Sequence, residues 1–132
     1  MLDVSGYLAE QLRAFGINIP ACEEPMLAEP DGPYVTWAED ACREYRASGE
    51  VYKRVYLLTL TLWFPADYGG WRRLLWDIAD AVDGGLDQRT SVRPGVTARA
   101  YGLTGAEDVP AIRRKCARMQ VHVHERVWQD GT

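Results

Sequence analysis

The stretch "VYKRVYLLTLTLWF", residues 51 to 64, constrains this chain more than any other. Side chains alternate across a strand, so one face carries Tyr56, Leu58, Leu60, Leu62 and Phe64, and the other Val55, Leu57, Thr59, Thr61 and Trp63. The first face is apolar throughout and has to be core. Its five side chains are worth roughly 8–15 kcal/mol gross, before conformational entropy is set against them. The second face is mixed, so it is expected to be partly covered or to meet another subunit. The run is more than twice the usual strand length and its first third is charged, so it is expected to project beyond the sheet.

The flanking residues supply partners for this strand. "YVTWAE", residues 34–39, is β-rich and reads as a strand. The charged stretch "DACREYRASGEVYKR" that follows holds a Ser-Gly turn, which makes the tip of a long hairpin. Pro65 ends the long strand, and "ADYGG" turns the chain. A helix is predicted over about 70–83, with Trp71, Leu74, Leu75, Ile78 and Val82 in one stripe and Gly84-Gly85 as its stop. A shorter helix is predicted over about 3–15, where Val4, Leu8, Leu12 and Phe15 recur at helical spacing before Gly16. The four prolines of "PACEEPMLAEPDGP" mark a loop between that helix and the first strand.

Residues 86–95 read as loop or irregular edge, residues 96–103 as a strand, and "TGAEDVPAIRRK" as a polar connection. Residues 116–128 read as the last strand. Its Ala117, Met119, Val121 and Val123 face one way, and Cys116, Arg118, Gln120, His122, His124 and Arg126 the other. The order α-β-β-α-β-β predicts an α+β fold: a mostly antiparallel sheet with two helices packed on it and one long projecting β-hairpin. A chain of 132 residues suits a single domain, residues 1–132, large enough to hold a core without disulfides.

Charge and cysteine usage narrow the function. A net charge of −4 argues against a general nucleic-acid binder, which needs a basic stripe to release counterions, although a local basic patch remains compatible with it. Cys22, Cys42 and Cys116 form no close pair and no C-x-x-C, so they read as reduced thiols in a cytoplasmic protein. The N-terminus lacks the basic start and apolar stretch of a secretory signal. The most apolar run is about half the roughly 20 residues that a membrane helix requires, so no membrane association is expected.

The pair His122 and His124 is the one pattern that suggests chemistry. Both histidines share a strand face, the spacing that metalloenzymes use, but Glu125 lies on the opposite face and Arg118 and Arg126 share theirs. Cations beside a proposed cation site disfavour a metal, so this row reads as a strand edge facing water or an acidic partner. No P-loop, dinucleotide fingerprint or nucleophile elbow is present. Cys116 lies on the histidines' own strand, too far along it to pair well with them. Asp77, Asp80 and Asp83 read as the solvated face of a helix. The basic clusters Lys53-Arg54 and Arg113-Arg114-Lys115 read as charge that blocks edge aggregation, or, more sharply, as contacts with acidic neighbours in an assembly or with DNA passing through a ring. No catalytic residue, cofactor or metal is expected.

The succession of an amphipathic N-terminal helix, a proline-rich loop, "YVTW", "VYKRVYLLTLTLWFP", "GWRRLLWDIADAVDGG" and "RMQVHVHERV" resembles the tail terminator and tail completion proteins of long-tailed bacteriophages and prophages. The resemblance covers nearly the whole chain and lies in element order and length, with no catalytic signature. It implies a structural virion protein that forms a ring, commonly a homo-hexamer. Such a ring caps the tail tube and meets the head–tail connector, and DNA passes only as lumen content. It also implies assembly in the bacterial cytoplasm and residence in the tail or neck of the virion. On that reading Tyr45, Arg46, Tyr52, Lys53, Arg54 and Trp63 are the candidate subunit-interface residues. Two other classes stay open: a small ligand- or metal-binding α+β domain, a candidate enzyme, using the His122/His124 face, and a general interaction domain unrelated to phage, such as a toxin-neutralising partner.

Overall fold

The computed structural model describes residues 1–26, 28–86 and 89–127. Leu27 in the proline-rich loop, Asp87 and Gln88 in the loop predicted over 86–95, and Trp128, the predicted end of the last strand, lie outside the described residues.

Two helices, α1 (Val4–Ala14) and α2 (Trp71–Asp83), pack on one face of a six-stranded sheet. The strands are β1 (Ala21–Glu23), β2 (Tyr34–Ala47), β3 (Glu50–Pro65), β4 (Val96–Tyr101), β5 (Glu107–Val109) and β6 (Arg114–Arg126). The sheet runs β1-β2-β3-β6-β4, and β5 pairs with the start of β6. Every pairing is antiparallel except β1 with β2. The fold class is therefore the expected α+β arrangement.

The apolar face of β3 is core as its pattern requires: Tyr56, Leu58, Leu60, Leu62 and Phe64 are each at most 1% exposed. They meet Leu8 and Leu12 of α1, Leu75, Ile78 and Val82 of α2, and Met119, Val121 and Val123 of β6. Helix α1 begins where Asp3 accepts a hydrogen bond from the Gly6 N–H. It ends in a Schellman-type cap, with Gly16 N–H on Arg13 C=O and Ile17 N–H on Leu12 C=O. Phe15, predicted on the buried stripe, is 43% exposed, because it sits at the C-cap with its ring against Gly84. The buried places on α1 go also to Tyr7 and Gln11. Gln11 is fully buried and satisfied at both ends: Nε2 donates to Ala81 C=O and Oε1 accepts from Val92 N–H.

Gly84 and Gly85 act differently from expectation. Gly84 keeps right-handed helical dihedrals, and the chain tightens into a 3-10 turn over Gly84–Leu86. What the pair supplies is space. A Cβ on Gly84 would lie 2.4 Å from the Phe15 ring, and one on Gly85 would lie 2.5 Å from the Tyr7 hydroxyl.

Two short strands hide in segments read as connections. β1 lies in the proline-rich loop and β5 in the polar connection before the last strand. Each has three residues, too few for a period to show in sequence. The larger difference concerns β2, which runs to Ala47 instead of ending at Glu39. Its second half is charged because it is exposed: every residue from Glu39 to Glu50 lies open to solvent. Ser48 and Gly49, both at positive φ, form the two-residue turn that matches hairpin twist. β6 accompanies β3 as far as Lys53, and Glu50–Tyr52 with the turn extend past that last pair.

Candidate interaction surface

A β-bulge sets the geometry of the hairpin. Glu39 pairs with Leu58 and Ala41 with Leu57, so Asp40 is an extra residue on β2. Directly paired residues share a face, so the bulge switches which residues of β2 face the helices. Before it, Val35 and Trp37 point to the core. After it, Cys42 and Glu44 stand with Tyr56 and Arg54 on the helix side, while Arg43 and Tyr45 stand with Val55 and Lys53 on the open side. A second register shift between Tyr45 and Arg46 precedes the turn.

The helix side of the arm carries a charge network. Arg54 Nε donates to Glu44 at 3.0 Å and its Nη1 to Glu125 at 3.5 Å, and the Tyr56 hydroxyl donates to Glu125 at 2.8 Å. Burial and the Glu125 carboxylate push the Tyr56 phenol well above its ordinary value, so it stays protonated as the donor. The hydrogen bond from Arg54 holds the Glu44 carboxyl below the usual carboxylate range. This places Glu125 where the alternation puts it, across the sheet from the histidines, engaged with Arg54 and Tyr56.

The open side is different. In the arm half of the sheet it presents Arg43, Lys53, Arg99 and Arg126 together with His122 and His124, and Asp40, at the bulge on the same side, accepts from the Thr59 hydroxyl. Arg43, Lys53 and Arg99 have no ion-pair partner among the described residues; Lys53 instead lies over the Tyr45 ring at 5.5 Å. The His122 ring packs edge-on against Tyr101, with centroids 4.5 Å apart, and its Nε2 is hydrogen-bonded to the Tyr101 hydroxyl. Burial, and then Arg43, lowers the His122 pKa; burial, Lys53 and His122 lower that of His124. Both imidazoles are therefore biased toward the neutral form, chiefly by burial and further by the cations around them. No cluster of three His, Cys, Asp or Glu able to hold a metal occurs among the described residues.

At the base of the hairpin the open side becomes a groove of about 590 Å³. The loop after β1 folds over this end of the sheet, so Thr61 is 3% exposed although it faces away from the helices. Tyr34 and Trp63 stack at 6.2 Å, and Trp63 Nε1 donates to the Thr36 hydroxyl. Three carboxylates line the groove. Glu24 accepts from Thr36, Glu29 from the Tyr34 hydroxyl and Asp40 from Thr59. The one guanidinium in its wall, Arg118, is paired with Glu107. The mixed face of β3 is thus partly covered at its base and open along the arm.

Of the expected interface residues, Tyr45, Arg46, Tyr52 and Lys53 sit together on the arm, with Tyr45 40% and Tyr52 49% exposed. Arg54 sits there too but is turned into the network with Glu44 and Glu125. Trp63 lies at the other end of the same hairpin, in the groove. Arg43, Glu24, Glu29 and Asp40 were not singled out by the sequence pattern. Nothing local marks the bulge that turns Arg43 outward, and the carboxylates come together only because a loop folds over the sheet. Of the other basic cluster, Arg114 lies over the Tyr34 ring and donates to the Pro30 and Gly32 carbonyls, while Lys115 pairs with Asp108. Cys116 is fully buried and burial raises its thiol pKa, the opposite of what a nucleophile needs. No helix among the described residues is long and apolar enough to cross a membrane.

No family model matches the chain, and no curated protein matches it in sequence. Among the solved structures that match, one superposes with a TM-score of 0.53 at 13% identity, over 95% of this chain and 92% of its own. At that identity the likeness shows the fold alone.

Proposed function

We propose that this chain is a structural assembly protein of the phage tail terminator type, which caps a tail tube and joins it to the head connector as a ring of identical subunits. On this reading it performs no catalysis, binds no cofactor, and resides in the virion tail or neck after assembly in the host cytoplasm. The observation that carries the reading is the hairpin. Residues 39–50 are exposed along their whole length, and Tyr45 and Tyr52 offer aromatic surface that the isolated subunit leaves to water. An exposed arm on a compact body suits a contact with a neighbouring copy, and a heterologous contact repeated around an axis closes a ring.

The histidine face gives the ligand-binding alternative less support. His122 is engaged by Tyr101, and the cations around the pair would repel a metal. Metal analysis of the purified protein is expected to find less than one equivalent of any transition metal.

The decisive test is genetic. Deleting the gene from the phage or prophage that encodes it should yield filled heads and unjoined tails of uncontrolled length, seen by electron microscopy. Intact virions from the deletion, or a gene with no tail or head-connector genes beside it, would overturn the reading.

A further inference from the structure

The two sides of the sheet end differently. At β4 the outward-pointing main chain is taken up. Val96 N–H donates to the Arg93 carbonyl, the Val96 carbonyl accepts from the Ser91 hydroxyl, and Ala100 N–H donates to the Asp83 carboxylate at 2.8 Å. Between them Gly85 closes in, so that a Cβ on it would lie 3.3 Å from the Ala98 nitrogen. On the other side β1 covers only the base of β2, with Val35 N–H on the Pro20 carbonyl and Glu24 N–H on the Trp37 carbonyl. Val35 and Trp37 therefore turn their main-chain groups away from β3, and alternate residues do the same. The extra residue at Asp40 shifts that alternation by one, which turns Cys42, Glu44 and Arg46 outward. The second register shift skips Tyr52 on β3 and leaves the alternation of β2 unchanged. Past Trp37, no main-chain hydrogen bond among the described residues reaches the outer edge of the arm.

A row of unpaired N–H and C=O groups is a template for another strand. We propose that two copies of this chain pair through this edge, residues 43–47 of one β2 lying antiparallel to the same residues of the other about a two-fold axis at Tyr45. The contact is isologous because β4 is closed, so the long open edge that a second copy can offer is its own β2. The register follows from geometry and charge. Outward groups have to meet outward groups, so the axis passes a residue between Cys42 and Tyr45. At Cys42 the pairing would run into the bulge at Asp40. At Arg43 or Glu44 it would set like charges directly opposite, which destabilises a pair of strands. At Tyr45 it sets Glu44 opposite Arg46 on both sides of the axis, and the half-exposed Tyr45 ring against its own copy. Glu44 and Arg46 already attract each other within one arm, at 3.4 Å, so the four side chains can form one network across the axis. A ring contact through the faces of the arm leaves this edge free, and the inference stands apart from the function proposed above.

Five residues per strand make a small contact, so the association is weak and is read at millimolar concentration. Cross-linking tests the register. In a Cys42→Ser background, Tyr45→Cys places a thiol opposite its own copy, whereas Arg43→Cys places one opposite Ala47. Under copper–phenanthroline oxidation the Tyr45→Cys chain should form disulfide dimers at least about 10-fold faster than the Arg43→Cys chain, because diagonal neighbours are too far apart to bridge. Sedimentation tests the charges. The unmodified chain should show a monomer–dimer equilibrium, and Arg46→Glu should weaken it at least about 10-fold by setting carboxylates opposite each other. Adding Glu44→Arg to that variant should restore the dimer. Should Glu44→Arg unsettle the network around Arg54, the Arg46→Glu loss and the cross-link decide the matter. Equal cross-linking rates, or dimers indifferent to Arg46→Glu, overturn the proposal. So does a chain that stays monomeric at millimolar concentration, which would leave the edge to a strand from another protein. Rings that form without the Tyr45→Cys cross-link overturn this pairing alone and leave the function proposed above to the gene deletion.

Discussion

The two halves of the β2–β3 hairpin share strands, register and hydrogen bonding, yet they follow different physics. At the base, Leu60, Leu62 and Phe64 are fully buried beneath the helices, and the opposite face is half covered by a loop. Along the arm, no residue of β2 from Glu39 onward is buried, and the side chains meet mostly across strands. The base is held by the volume it fills. The arm is held by its ladder, its turn and one charge network, and its surface stays open to solvent. Burial decides what is structural here, and its loss over a continuous hairpin leaves the arm's side chains to water.

The largest expected effect lies at the base. Leu60→Ala should lose about 2–5 kcal/mol in urea denaturation, because it leaves a cavity between helices and sheet. Tyr45→Ala, made on the arm of the same hairpin, should change stability by less than about 0.5 kcal/mol. Equal losses at both positions would erase the contrast. Gly85→Ala should cost about 1–3 kcal/mol, since its Cβ would lie 2.5 Å from the Tyr7 hydroxyl and 3.3 Å from Ala98.

Where base grades into arm, Tyr56→Phe removes one donor from Glu125 and should cost about 1–2 kcal/mol. A neutral outcome would mean that Arg54 alone satisfies that carboxylate. The smallest effect concerns the histidines. The fold lowers both pKa values, so below the ordinary value of 6.5 the unfolded chain takes up protons that the folded chain refuses. Stability should therefore fall as pH drops through about 6.5, and level off once the folded values are passed. A His122→Asn/His124→Asn variant should show a flatter profile there by thermal melts at stepped pH. An unchanged profile would place the proton uptake elsewhere.

Much of this was legible in the residues themselves. The apolar alternation of Tyr56 to Phe64 fixed which face of β3 is core, the spacing of Leu75, Ile78 and Val82 fixed α2, and the separation of Glu125 from His122 and His124 followed from period two alone. These properties depend only on a local repeat meeting water on one side. The course of β2 past Glu39 was harder to read, because an exposed strand needs no apolar pattern to mark it. The three-residue β1 and β5 left no period at all.

What only the tertiary structure decided was which charges share a surface. Strict alternation along β2 would carry Arg43 and Tyr45 to the same side as Trp37. The extra residue at Asp40 shifts the register, so they emerge beside Lys53 and the histidines instead. A bulge is a property of two paired strands rather than of one, and the groove carboxylates meet only across a folded loop. The sequence alone determined a two-layer α+β body with a long charged hairpin, because hydrophobic periodicity is local. Pairing register and loop closure are not, and they alone set Arg43 and Tyr45 beside Lys53 and gathered the carboxylates of the groove.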